Sequence, residues 1–290
     1  MKDFEEKTNR TGSRHPPERV EALKPIYAHW DDSYALEWRR SFGPPIRPTN
    51  FECVIYRQEM KAFSKDSKIL MMGSTPEIRD IVSHLGLSLV VVDESEKNYS
   101  DMKGLMGCSE RKETFIKKKW EEMGFDGEFD LALGDAVLSV IPSESARKVI
   151  ENVNKALKTG GKWIVRVMLY SNGEDFISPD TLNGRINKCI TKQEVYEQLL
   201  VPFLAYYKNE AGGVVLSEIY EKMKRDVEKG LFPKVCLDVF NALGKYEEET
   251  FLMERNLFEK SLKKMFQIEK AVDDTEPFSR HWPIYVLRKK

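Results

Sequence analysis

A turn of five residues separates the apolar segment KILMM from a helical pattern: Gly73, Ser74, Thr75, Pro76 and Glu77. Glycine permits a tight turn, threonine can cap a helix, and proline suits the first helical position. Glu77 then places a carboxylate in the first helical turn, where a pyrophosphate site would need free backbone N–H groups and no acid. The turn therefore disfavours NAD, FAD and ATP and favours a cationic or zwitterionic ligand, unless it is only a well-capped helix start.

A second carboxylate, Asp93, ends the apolar segment SLVVVD. It follows Gly73 by about twenty residues, the distance at which nucleotide-binding βαβ units place an acid that hydrogen-bonds ribose hydroxyls. The alternative is a plain helix cap, which Asp93, Glu94 and Ser95 would also provide. A further acid, Asp135, follows Gly134 directly after the apolar segment FDLAL.

Five apolar segments are predicted to be strands, with helical patterns between most of them: residues 68–72, 88–93, 113–116, 129–133 and 162–169. Before the last of them, a helix is expected to end at the glycine pair of ALKTGGKWIVRV. Apolar strands without alternation indicate a parallel sheet that is covered on both faces. We therefore predict a doubly wound α/β core, whose ligands bind outside the carboxyl ends of the strands.

The length and composition of the chain limit its class. The 290 residues fit one α/β domain with an elaboration, and 46 basic against 47 acidic residues give no global field that would attract nucleic acid. Four widely spaced cysteines argue against a disulfide framework or a zinc site. Since no apolar run reaches the roughly 18 residues of a membrane span and no signal peptide is evident, a cytoplasmic protein is expected.

The chain resembles class I S-adenosylmethionine-dependent methyltransferases in the order of four features: the glycine turn, the strand-terminal acid, FDLALGD and LKTGGKWIV. The resemblance covers about residues 18–172 and returns at FQIEKAVDD and HWPIYVLRKK, which correspond to the last two strands. A subgroup with a G-x-TPE turn and a segment like GPPIRP (43–48) is closer still. The family's GxGxG is reduced to Gly73, and Lys119 stands where many relatives place an acid that contacts adenine.

The resemblance implies a mostly parallel seven-stranded sheet, a Rossmann-like methyltransferase fold, whose strand order ends in an antiparallel pair. It divides the chain into a flexible tail (1–17), an N-terminal helical lid (18–66), a cofactor-binding core (67–171), a helical substrate-cap insertion (172–264) and a C-terminal hairpin that completes the sheet (265–290).

The resemblance also implies a site for S-adenosylmethionine, with S-adenosylhomocysteine as product. Glu77 would pair with the ammonium, Asp93 would accept from both ribose hydroxyls, and Arg47 is either the carboxylate-binding residue or a solvated loop charge. The full set of expected cofactor-binding residues is Arg47, Gly73, Ser74, Thr75, Pro76, Glu77, Asp93, Glu94, Ser95, Lys119, Trp120, Gly134, Asp135 and Ala136.

The methyl acceptor is expected to be a small molecule that is methylated on O or N by in-line displacement. Aromatic residues of the lid and the insertion are candidate pocket walls, although each could instead pack helix on helix: Tyr27, Trp30, Tyr34, Trp38, Tyr206 and Tyr207. If the acceptor must lose a proton, the candidate bases are Asp135, Glu77, His29 and His281.

Other functions stay open at this point. A non-catalytic S-adenosylmethionine-binding regulator would share every cofactor residue, and a protein side chain could be the acceptor. A dehydrogenase would need GxGxxG, which the turn lacks. Nucleic acid is an unlikely partner because no basic aromatic groove is evident, and no histidine or acid cluster has metal-ligand spacing. The protein is expected to be a monomer or a homodimer.

Overall fold

The computed structural model describes residues 35, 38–39, 43–108, 112–171, 178–209, 212–245, 249–273 and 278–290. Its centre is a seven-stranded sheet: β1 (Lys68–Met72), β2 (Ser88–Asp93), β3 (Glu113–Lys117), β4 (Phe129–Asp135), β5 (Leu157–Arg166), β6 (Phe266–Val272) and β7 (Ile284–Lys289). The helices in the described ranges are α1 (Asn50–Met60), α2 (Pro76–His84), α3 (Glu96–Lys103), α4 (Ser143–Ala156), α5 (Pro179–Ile186), α6 (Lys192–Tyr207), α7 (Leu216–Glu228), α8 (Val235–Phe240) and α9 (Arg255–Leu262).

The strand order is β6-β7-β5-β4-β1-β2-β3. Strands β1 to β5 pair in parallel, and β7 is antiparallel to both of its neighbours. This confirms the predicted doubly wound sheet with an antiparallel pair. The chain moves outward from β1 to β3 and then returns to β4 on the other side, so the carboxyl ends of β1 and β4 flank the switch point where ligands bind in such sheets.

Helices cover both faces of the sheet, which is why its central strands are apolar without alternation. On one face α1 and α2 pack through residues such as Tyr56 and Ile81 against Met71, and on the other α4 packs through Val149 and Val153. The buried clusters on the two faces together form the core of the domain.

The expected boundary between α4 and β5 is wrong. The helix ends at Ala156, and β5 begins at Leu157, so the glycine pair lies inside the strand rather than at the helix end. A Cβ on Gly161 would lie 2.9 Å from the carbonyl oxygen of Lys158, and a register shift of the β4–β5 ladder occurs nearby. Gly161 therefore serves a close approach of two backbones, and Gly160 supplies a positive φ of 73°. Strand β5 also ends at Arg166, before the expected Leu169.

The segment between β5 and β6 was expected to be helical, but it also contains strands. Two short strand pairs interrupt it: residues 169–170 pair with 253–254, and residues 213–215 pair with 249–251. Helices α5 to α8 share an apolar cluster that also includes Ala136 and Trp282, whereas α9 packs through Phe258 and Leu262 onto the core sheet. In the described part of the chain, no helix has the length and apolarity to cross a membrane.

We expect Gly212→Ala to lower the free energy of unfolding more than Gly230→Ala does. Both glycines have a positive φ, 83° and 77°, so either alanine carries a conformational strain of about 1 to 2 kcal/mol. Only at Gly212 would the added Cβ meet backbone, at 2.7 Å from the carbonyl oxygen of Leu252, whereas nothing lies within 4 Å at Gly230. Urea unfolding of both variants measures the difference, and equal losses would contradict the steric argument.

Candidate functional site

The turn after β1 ties three strand ends together. Gly73 has φ 79° and donates its N–H to the carbonyl of Val92 at 3.0 Å. Thr75 occupies the N-cap position of α2, but its side chain accepts no capping hydrogen bond, which corrects the expected role. Its hydroxyl donates instead to Asp135 Oδ2 at 3.2 Å, so the turn is fastened to the end of β4. Pro76 lies in the first helical turn, as predicted.

Asp93 at the end of β2 is buried and accepts three hydrogen bonds from its own chain, which leaves part of the acceptor capacity of its carboxylate unused. Its Oδ2 accepts from Ser74 Oγ at 2.7 Å and from Asn98 Nδ2 at 3.2 Å, and its Oδ1 accepts from the N–H of Ser95 at 3.0 Å. Burial raises the pKa of Asp93 above the usual aspartate value, and these hydrogen bonds offset the rise only in part. Asn98 Oδ1 is buried and finds no donor within the described ranges.

The expected adenine-side residues have distinct environments. Ser95 caps α3 by accepting from the N–H of Asn98, and Glu94 and Lys119 are exposed. The indole Nε1 of Trp120 donates to the carbonyl of Val92 at 2.8 Å, and its backbone carbonyl accepts from Asn152 Nδ2 at 3.1 Å. The ring lies beside the turn, 3.6 Å from where a Cβ on residue 73 would stand. Contacts of these residues with an adenine ring stay predictions.

Glu77 and Arg47 are paired with each other. Arg47 donates Nε at 2.8 Å and also Nη2 to Glu77 Oε1, and Trp38 Nε1 donates to the same oxygen at 3.2 Å. Glu77 Oε2 is buried without a hydrogen-bond partner among the described residues. The pair borders a cavity of about 370 Å³, which Trp38 and Pro76 also line. The described residues therefore leave the hydrogen bonding of one Glu77 oxygen incomplete.

Arg166 at the end of β5 is the residue that the sequence analysis missed. Its guanidinium is fully buried, and Nε donates to Asp135 Oδ1 at 2.6 Å. Nη1 lies 3.4 Å from Glu52 Oε2, and the guanidinium carbon lies 5.1 Å from the centre of the Trp282 ring. Burial opposes the charge of Arg166, but the carboxylates of Asp135 and Glu52 raise its pKa above the usual value, so it stays protonated. The overlooked signal is a single arginine inside the apolar strand KWIVRV.

A side chain of α1 forms hydrogen bonds with the carboxyl ends of β4 and β5. The Tyr56 hydroxyl donates to the carbonyl of Gly134 at 2.7 Å and accepts the N–H of Arg166 at 3.1 Å, so it bridges β4 and β5. A Cβ on Gly134 would lie 2.9 Å from Val137 Cγ2. Ala136 adopts a positive φ of 56°, which is unusual for a residue other than glycine.

A second buried arginine, Arg79 of α2, lies next to the turn after β1. It donates Nε at 3.1 Å and Nη2 at 2.8 Å to the two carboxylate oxygens of Glu113 in β3. Its Nη1 also lies 3.5 Å from the carbonyl of Ser74 and 3.3 Å from that of Tyr99. Arg79 therefore joins α2, α3 and β3 directly behind the residues that contact Asp93.

The candidate bases and pocket walls are only partly described. His281 is buried, its Nδ1 lies 3.3 Å from the carbonyl of Leu169, and its Nε2 accepts from Arg280. The Asp135 oxygens accept hydrogen bonds from Arg166 and Thr75. The roles of His281 and Asp135 as bases stay predictions. Candidates outside the described residues are His29, Tyr27, Trp30 and Tyr34.

Two predicted pocket walls belong to the packing of the insertion. Tyr207 donates its hydroxyl to Asp226 at 3.0 Å, and Tyr206 packs edge-on against Tyr207 and Phe232. These contacts match the alternative of helix-on-helix packing. Trp38, by contrast, lies at the cavity beside Glu77. Among the residues that the structure describes, no group of histidine, cysteine and acidic side chains could hold a metal ion.

Comparison with known proteins bears on the fold. No family model matches the chain, and no curated protein is similar to it. A protein of Rhodobacter sphaeroides with a provisional description as a zinc-dependent alcohol dehydrogenase is 16% identical, with 94% of this chain and 98% of that chain covered and a TM-score of 0.55. A protein of Pyrococcus horikoshii OT3 is 17% identical, with 88% and 99% covered and a TM-score of 0.53.

The magnesium protoporphyrin IX methyltransferase of Synechocystis PCC 6803, whose structure contains S-adenosylhomocysteine, is 12% identical. The two structures superpose over 91% of this chain and 98% of that chain, with a TM-score of 0.53. At such identities the likeness concerns the fold and leaves the reaction open, and the descriptions of these structures name two reaction classes. The chain has the Rossmann-like methyltransferase fold, with a seven-stranded, mostly parallel sheet and helices on both faces.

Proposed function

We propose that this protein is an S-adenosylmethionine-dependent methyltransferase that acts on an O or N atom of a small molecule. One observation carries the proposal: two buried acceptors close to the turn after β1, Glu77 Oε2 and Asn98 Oδ1, have no donor in the described part of the chain. A buried acceptor without a donor is costly, so a ligand that brings donors is favoured here. S-adenosylmethionine brings an ammonium group and two ribose hydroxyls.

The charges of the site suit an amino-acid group. Among the described residues, Glu77 and the carbonyl of Trp38 use three of the five N–H groups of Arg47, which leaves one on each terminal nitrogen. A ligand carboxylate could bind those two donors while its ammonium binds Glu77 Oε2. A pyrophosphate would instead meet the Glu77 carboxylate at the start of α2, which argues against NAD.

Bound S-adenosylmethionine would supply an electrophilic methyl group for in-line displacement, so the protein's task is to align the acceptor and exclude water. The insertion shares a buried cluster with Ala136 and Trp282, so it covers the carboxyl edge near β4 and β5. A covered edge favours a small acceptor over a nucleic acid. Asp135 could remove a proton from that acceptor only through lone pairs that its hydrogen bonds with Thr75, at Oδ2, and with Arg166, at Oδ1, leave free.

Calorimetric titration with S-adenosylmethionine, S-adenosylhomocysteine and NAD tests the proposal. We expect the two sulfur ligands to bind and NAD not to bind. Glu77→Gln should weaken S-adenosylhomocysteine about tenfold or more, because an amide replaces the charged acceptor for the ammonium. Absence of binding by both sulfur ligands would refute the proposed function.

A further inference from the structure

We infer that Arg166 is the positioning residue for the amino-acid end of the ligand: one buried guanidinium sets both the backbone that carries Arg47 and the turn that carries Glu77. The inference rests on the proposed function and extends it, because Arg166 itself would touch neither substrate nor cofactor. Its side chain is fully buried and donates in three directions.

The first branch leads to Arg47. Arg166 Nη1 donates to the carbonyl of Pro45 at 2.8 Å and Nη2 to that of Ile46 at 3.1 Å, while Nη1 also lies 3.5 Å from the carbonyl of Arg47. The carbonyls of three consecutive residues thus all face the Arg166 guanidinium. The conformation of this segment decides where the Arg47 side chain leaves the backbone, and hence where a carboxylate would be held.

The second branch leads to Glu77. Arg166 Nε donates to Asp135 Oδ1 at 2.6 Å, and Thr75 donates its hydroxyl to the other oxygen of that carboxylate at 3.2 Å. Thr75 lies at the N-cap of α2, two positions before Glu77. Since both branches start from the same guanidinium, the distance between the carboxylate-binding and ammonium-binding groups depends on it.

The geometry requires arginine rather than any cation. Nε, Nη1 and Nη2 bind separate partners in the plane of the guanidinium, and Glu52 Oε2 adds a second carboxylate at 3.4 Å. A lysine would keep the charge, but its single ammonium cannot span Asp135 and the carbonyls of Pro45 and Ile46 together. Arg166→Lys therefore removes the positioning while it keeps the buried charge balance.

The test compares S-adenosylhomocysteine with 5′-methylthioadenosine, which has the same adenosine thioether but no amino-acid group. The wild type should prefer S-adenosylhomocysteine. Arg166→Lys and Arg47→Ala should each weaken S-adenosylhomocysteine about tenfold or more, the loss expected for one charge-assisted hydrogen bond, and leave 5′-methylthioadenosine within about twofold. In the Arg47→Ala background, Arg166→Lys should cause a smaller further loss than it does in the wild type, because only its branch through Asp135 and Thr75 to Glu77 then remains.

Arg79→Lys is the matched control, because Arg79 is also fully buried and ion-paired but lies behind Ser74. It should weaken both ligands in parallel. If Arg166→Lys does not fold, Glu52→Gln loosens the same guanidinium and should shift the ligand preference in the same direction. An unchanged preference, or parallel loss of both ligands in the Arg166 variant, overturns the inference while the proposed function stands. A wild type that binds neither ligand overturns both.

Discussion

Replacing Arg79 by methionine is expected to lower the free energy of unfolding by about 3 to 5 kcal/mol, because it leaves a carboxylate buried without its cation. The side chains of Arg79 and Glu113 are 0% and 2% exposed, and two hydrogen bonds join them side by side. In the variant, the hydroxyl of Tyr99, at 3.2 Å, would be the one donor left to Glu113 among the described residues. Urea unfolding at neutral pH measures the loss.

Two further variants separate the free-energy cost of leaving Glu113 buried without a cation from the net contribution of the ion pair to stability. Arg79→Met combined with Glu113→Leu should recover most of the loss, since no charge then stays buried. Arg147→Met, which removes the exposed pair with Glu151 on α4, should change the free energy of unfolding by about 0.5 kcal/mol or less. The expectation is contradicted if Arg79→Met costs no more than Arg147→Met.

Both buried arginines mark the limit of what the sequence could predict. The apolar segments KILMM and SLVVVD identified β1 and β2, and the spacing from Gly73 to Asp93 placed two residues that the structure brings to adjacent strand ends. Arg79 and Arg166 escaped because their partners are remote in sequence: Glu113 is 34 residues from Arg79, and Pro45 is 121 from Arg166. Periodicity reports which positions are apolar, and it gives no signal for a charge whose partner lies on another element.

The errors have the same origin in tertiary context. The glycine pair after α4 suggested a helix end, but pairing with β4 extends the strand back to Leu157, and Gly161 permits a close approach of the two backbones. Tyr206 and Tyr207 end a helical segment that is apolar on all sides, and such a segment shows that the helix is buried without showing what covers it. Arg47 and Glu77 were each assigned a ligand group, and the structure shows that they also bind each other.

Asp93→Asn is expected to weaken S-adenosylhomocysteine about tenfold to a hundredfold and yet to stabilise the protein near pH 7. The affinity falls because ribose hydroxyls would lose an ionised acceptor. The stability rises because burial raises the pKa of Asp93 in the folded protein. Such a group contributes stability below the unfolded pKa of about 4 and loses it as the pH rises through the folded pKa, so the advantage of asparagine should grow over that window.

The local contacts permit this substitution. The new amide nitrogen would face Ser74 Oγ, which can accept, and Asn98, whose unpartnered Oδ1 can turn toward it. Urea unfolding from pH 4 to 8 and calorimetry at pH 7 measure the two effects.

Asp130→Asn is the control of opposite sign. Slight burial raises the pKa of Asp130, but Lys158 at 2.7 Å and 2.8 Å and the N–H of Lys68 outweigh it and hold the pKa below its usual value. That carboxylate stabilises the fold above the unfolded pKa and loses this effect as the pH falls through the folded pKa, so the asparagine variant should be less stable at pH 7. Asp130 lies at the amino end of β4, away from the candidate site, so ligand affinity should not change. If Asp93→Asn lost stability at pH 7 as Asp130→Asn does, Asp93 would be a structural cap rather than an acceptor held ready for a ligand.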